Sequence, residues 1–155
     1  MSKTIRQVLA SCLVALVAAG VGSVAVWAAS GTDAIKARQA AMEKVGDAIG
    51  ALAAIAKKEA PFDAAVVKTS AETIAAHLKK AEAQFPAGSE KGDVETWAKA
   101  EIWSDPEMFA ETMKKAQAAA VALQSVGEEA AFRPALGQLG GNCKACHEMY
   151  RLPKP

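Results

Sequence analysis

The sequence predicts an all-α fold: an antiparallel, up-down-up-down four-helix bundle with one long loop between its second and third helices. Hydrophobic residues make up 52% of the chain but aromatic ones only 5%, because alanine dominates. Alanine is the strongest helix former, so this composition leans helical. Apolar residues recur at spacings of three, four and seven through four stretches, and no stretch alternates as a strand does. Together these features give four amphipathic helices, which pack as a bundle. A core built so largely of alanine fills little volume and leaves room for something large and flat. The 155 residues suffice for one such domain, and no internal repeat is visible.

Residues 1–28 read as a cleaved secretory leader, and residues 29–155 as the bundle domain. Lys3 and Arg6 give a positive start, Val8 to Val26 is an uncharged apolar run, and Val26-Trp27-Ala28 closes it with small residues at the cleavage positions. The run is also about the length of a short membrane anchor; Gly20, Gly22 and the small residues before Ala28 favour cleavage. Leu9-Ala10-Ser11-Cys12 has the look of a lipoprotein box, but its apolar segment follows the cysteine where a lipoprotein needs it before. The expected location is the periplasm, with no membrane attachment after cleavage. Loss of Lys3 and Arg6 takes the 18 basic residues to 16, against 17 acidic ones, a net charge near −1. No basic face is clustered as a nucleic-acid partner requires.

Helix one is expected from Asp33 to Lys58, with Thr32 and Asp33 as N-cap types and Pro61 as the stop. Ile35, Met42, Val45, Ile49, Leu52 and Ile55 share one face. Helix two is expected from Asp63 to Ala83, with Val66, Val67, Ile74 and Leu78 inward. Gln84 to Ser104 reads as a loop rich in breakers that also holds Trp97 and Trp103. A loop of this length often has a task, here to cover one edge of a cofactor. Helix three opens at Asp105-Pro106-Glu107, an N-cap acid followed by a proline at the first helical position. It runs through Met108, Phe109, Met113 and Val121 to Val126, before Gly127. Helix four starts at Glu129 or Arg133, takes Pro134 in its first turn, and runs to Arg151.

The chemistry is carried by Cys143-Lys144-Ala145-Cys146-His147, a C-x-x-C-H sequence of the kind that attaches c-type haem. Two thiols three positions apart can add across the two vinyl groups of a porphyrin, and the following histidine then supplies an axial nitrogen to the iron. Cys143 and His147 lie four apart on one helical face. Gly140 and Gly141, one turn earlier, keep side chains away from the ring, and Leu136, Leu139 and Tyr150 continue the face. Three other readings fit less well. A thioredoxin-like pair needs a βαβ setting. Zinc needs four ligands, and only three are here. A disulfide between Cys143 and Cys146 closes too small a loop to stabilise much. Beyond the leader, the chain has no other cysteine.

The ligand on the opposite side of the iron stays open by spacing alone. Met42 is on the inner face of helix one, with Gly46 one turn on, and suits packing as well as ligation. His77, beside Ile74 and Leu78, is a second candidate, and an open site a third. Met108 and Met113 suit core filling, and Met149 is too near His147 to reach across the ring.

The stretches Arg38-Gln39-Ala40-Ala41-Met42, Glu101-Ile102-Trp103-Ser104-Asp105 and Cys143 to Arg151 together resemble class II cytochromes c, the cytochrome c′ family. The resemblance spans nearly the whole mature chain. Cytochrome c′ is itself a standard example of the up-down-up-down bundle. Arg-Gln-x-x-Met resembles the low-spin, methionine-ligated cytochrome c-556 branch, which implies His147 and Met42 as iron ligands and single-electron transfer with redox proteins as partners. In the high-spin branch an apolar residue stands at that position, over an open site that binds nitric oxide or carbon monoxide. The resemblance further implies that Arg38 and Gln39 contact the haem propionates and that an arginine such as Arg151 lies near the proximal side; electron transfer of this kind makes the protein no enzyme, and monomer and homodimer both stay open.

Overall fold

A computed structural model describes residues 31–153. Its helices are α1 (Gly31–Ala56), α2 (Ala64–Glu82), a single turn α3 (Glu101–Ser104), α4 (Pro106–Leu123) and α5 (Glu129–Tyr150), with no strand among the described residues. The expected leader, and Cys12 with it, lies outside them.

Helix ends follow local chemistry. Asp63 caps α2 by accepting from the N–H groups of Ala65 and Val66, and Asp105 caps α4 by accepting from Met108. α1 stops two residues before the expected Lys58. Lys58 takes a left-handed φ of 64°, and the N–H of Glu59 reaches the Ala54 carbonyl at 2.9 Å while that of Lys58 reaches Ile55 at 3.0 Å. This pair of bonds closes the last turn. α4 ends at Leu123, short of Val126, because Gln124, Ser125 and Val126 bond three residues back and tighten the chain. α5 starts at Glu129, which puts Pro134 in its second turn and not its first. Pro134 offers no N–H to the Ala130 carbonyl, and both residues are exposed. Thr32 does not cap α1. It exchanges hydrogen bonds with Asp93 of the loop instead.

α1 packs on α2, α2 on α4, and α4 on α5; α1 and α5 are not a packed pair. The segment 83–105 crosses one end of the bundle. It bonds to the start of α1 through Thr32, Arg38 and Gln39, and to the end of α5 through Tyr150, Arg151 and Leu152. That end therefore gathers the start of α1, the end of α2, the start of α4 and the end of α5, which is the up-down-up-down order. Close approach requires glycine here: a Cβ on Gly92 would stand 2.7 Å from Thr32 Oγ1, and one on Gly31 would run into the Lys91 carbonyl.

The core holds Leu52, Ile74, Met113, Leu123, Phe132 and Leu139, each almost wholly buried. Between them sit alanines 41, 48, 71, 81, 116 and 120. Val66 and Met108, expected inward, face solvent at 42% and 45% exposed, and Val121 is 53% exposed. α2 and α4 each bury a stripe one residue over, at Val67 and at Phe109 with Ala120.

Candidate functional site

The five residues of the C-x-x-C-H sequence sit in the last two turns of α5, with Cys143, Cys146 and His147 half-buried. Both cysteines are free and pack against the edge of the core. Burial raises both thiols. Cys146 is pushed up to about 11 by burial first and by Cys143 second, so at neutral pH both are thiols and not thiolates. His147 is lowered, by burial first and by Arg151 second. Its imidazole is thus neutral near pH 7, the state a metal ligand must have.

Across from this stretch is α1. Met42 and Ile49 are half-buried on it, as Leu136, Cys143 and Cys146 are on α5, all against one core. Apolar side chains half-covered on two helices that do not pack together mark a gap between those helices. Gly46 on α1 and Gly140 and Gly141 on α5 are exposed, and an added Cβ at any of them would meet nothing within 4 Å. The donor set, two thiols three positions apart followed by a histidine and flanked by half-covered apolar side chains, suits a flat macrocycle. The three expected attachment residues come together on one helix, and Met42 lies on the helix across the gap.

Arg38 and Gln39 have protein partners. Arg38 is only 4% exposed. Its Nη1 donates to the Ser89 carbonyl at 3.0 Å, to Ser89 Oγ at 3.3 Å and to the Gln84 carbonyl at 3.2 Å, and its Nη2 donates to Thr96 Oγ1 at 2.9 Å. The guanidinium lies 4.7 Å from the Phe85 ring centre and 5.6 Å from that of Trp103. Burial lowers its pKa, and the nearby Glu90 carboxylate acts the other way. Gln39 Nε2 donates to the Glu95 carbonyl at 2.8 Å. Sequence reasoning missed this anchoring of the loop, and also the aromatic chain Trp103–Phe85–Phe109–Tyr150, with ring centres 4.9 to 5.9 Å apart. The available signal was the register of Arg38, three residues after Ile35 and four before Met42 on the inner face.

His77 is on α2, which forms no packed pair with α5. Its Nδ1 is buried with no hydrogen-bond partner among the described residues. Met113 fills the core.

A family model described as "Cytochrome C'" matches residues 33–151. The chain is 40% identical over 129 residues to "Cytochrome c'" of Rhodopseudomonas palustris, covering 83% of this chain and 88% of that protein. It is 39% identical over 122 residues to "Cytochrome c-556" of Agrobacterium tumefaciens strain B2A, covering 77% of this chain and 98% of the relative. The nitric oxide complex of a cytochrome c prime variant from Alcaligenes xylosoxidans superimposes with a TM-score of 0.71 at 34% identity, over 81% of this chain and 98% of that one.

Proposed function

Because the chain belongs to the cytochrome c′ family, we propose that it is a periplasmic one-electron carrier whose iron is held between His147 and Met42. A haem protein of this family carries one covalent haem c with its iron. That group supplies a centre that gains and loses a single electron. Cys143 and Cys146 are proposed to hold it, each through a thioether. His147 offers a neutral nitrogen from the same helix turn.

The observation that carries the reading is the place of Met42, half-buried on α1 across the unpacked gap from the attachment stretch. A thioether there suits soft ferrous iron and raises the potential. The likeness to a cytochrome c-556 supports the same branch. Arg38 and Gln39 are proposed to approach the propionates from the loop side. The direct hydrogen-bond partners of Arg38 are neutral oxygens, so its charge still acts on a carboxylate. With both ligands kept through the cycle there is no substrate turnover, and the protein is not an enzyme. The leader is proposed to direct export. Among the described residues no helix is long and apolar enough to cross a membrane.

A second reading is a high-spin protein that binds nitric oxide or carbon monoxide at an open site. The likeness to a cytochrome c prime solved as its nitric oxide complex favours it. Met42→Ala separates the two. If Met42 ligates, the ferric spectrum turns from sharp low-spin to broad high-spin bands, the ferrous protein gains carbon monoxide affinity, and the potential falls. If Met42 only packs, the cavity costs about 2–5 kcal/mol in stability and the spin state is unchanged. That outcome would move the gas-binding reading forward.

A further inference from the structure

Met108 of α4 and Met149 of α5 are 45% and 47% exposed, yet they line one hollow of about 320 Å³. The hollow reaches Glu148, the residue directly after His147. The residues lining it also include the acids Glu101, Asp105 and Glu148 against Lys99 as the one base. Lys99 Nζ is turned to the Glu148 carbonyl at 2.8 Å, and the Glu148 carboxylate lies 3.7 Å from Lys144. Asp105 Oδ1 accepts from the Met108 N–H, and among the described residues neither Glu101 nor Asp105 has an ion-pair partner. Two exposed thioether side chains repack readily against varied surfaces. An apolar centre inside a polar rim is the anatomy of a protein interface. The rim's excess of carboxylates selects the sign of what can approach.

We propose that the hollow between Met108 and Met149 is the face on which a one-electron redox protein docks, a partner presenting an apolar centre ringed by lysines or arginines. This deepens the electron-transfer reading above and rests on it. Glu101 and Asp105 steer the encounter, and the two methionines hold it. Met149 and Tyr150 are two and three residues from His147, so the contact lies a short covalent path from the proximal ligand. One electron passes between the partner's centre and the iron, each centre gaining what the other loses, and no bond forms or breaks.

The test is stopped-flow electron exchange by the haem-loaded protein, with mitochondrial cytochrome c as a lysine-rimmed probe and hexaammineruthenium as a small one. Met108→Gln with Met149→Gln removes the apolar centre. Glu101→Gln with Asp105→Asn removes charge while Asn keeps an N-cap oxygen. Val121→Gln, about 20 Å further along α4, is the control. The parent's rate with the protein probe is expected to fall about three- to tenfold from low to physiological salt, and the charge variant to flatten that dependence. The methionine variant should lower the rate about three- to tenfold at every salt. The control, and all rates with the small probe, should match the parent. A parent rate that is undetectable or insensitive to salt, a methionine variant equal to the parent, or an equal loss in Val121→Gln overturns the docking face alone. Slow exchange of the parent even with hexaammineruthenium overturns the electron-transfer reading, and the docking face with it.

Discussion

Arg38 is a buried cation whose direct hydrogen-bond partners are oxygens of the loop. Its planar fork satisfies Gln84, Ser89 and Thr96 together, which a lysine ammonium cannot do in the same plane. Arg38→Ala leaves the Ser89 carbonyl, inside a residue only 1% exposed, without that donor. The expected loss is about 2–4 kcal/mol, read by urea unfolding, with earlier protease cutting between residues 84 and 96. Arg38→Lys should recover less than half of it. Full recovery by lysine would show that charge alone matters at this position. The resemblance assigns this side chain to the propionates, while its loop partners have no local signature in the sequence, because they lie 46 to 58 residues away.

Local sequence largely sets where each helix begins and ends, and it left two ends suboptimal. Lys58 adopts φ 64° to close α1, a conformation that strains a side chain bearing a Cβ. Lys58→Gly should stabilise the protein by about 0.5–1 kcal/mol, seen as a higher midpoint in thermal unfolding. Glu128 caps α5 with extended backbone but makes no side-chain cap bond, whereas Asp63 caps α2 with two. Glu128→Asp should therefore add about 0.5–1.5 kcal/mol, and Asp63→Ala should remove a similar amount. A loss on Glu128→Asp would show that the longer side chain is held by something other than the helix end. Proline and capping residues made these boundaries legible to within a few residues. Lys58 was not legible, because nothing about a lysine signals a left-handed turn.

Over the whole molecule, α1 and α5 are joined by the loop and not by direct packing. The loop bonds to both helices at one end only. Along the rest of the gap, Met42, Ile49, Leu136 and the cysteines have apolar surface that is only half covered. A group covalently held there stays with the unfolded chain as well, so it stabilises the fold as a large core side chain does, through the apolar surface it buries. Cys143→Ala with Cys146→Ala is expected to release haem into acidified organic solvent, where the parent retains it. The variant should also unfold at a lower temperature and less cooperatively, by calorimetry. Haem extracted from the parent would sink covalent attachment. An unchanged unfolding profile in the variant would show that α1 and α5 close on each other unaided.

Local sequence suffices to bring Cys143, Cys146 and His147 together, because residues three and four apart on one helix need only the helix to meet. It also sets the four long helices, through periodicity and breakers that act over a few residues, while Glu101–Ser104, expected as loop, forms the single turn α3. Tertiary structure alone decided which residue of each apolar run turned inward, setting Val67 inside and Val66 outside, and leaving Met108 and Val121 in solvent. It decided that Arg38 is buried and that segment 83–105 straps α1 to α5, with α3 formed within it. These outcomes depend on surfaces contributed by residues far apart in the chain, such as Ala98 and Arg151. Their pairing has no local signature. It exists only once the helices have packed and left the gap that the strap spans.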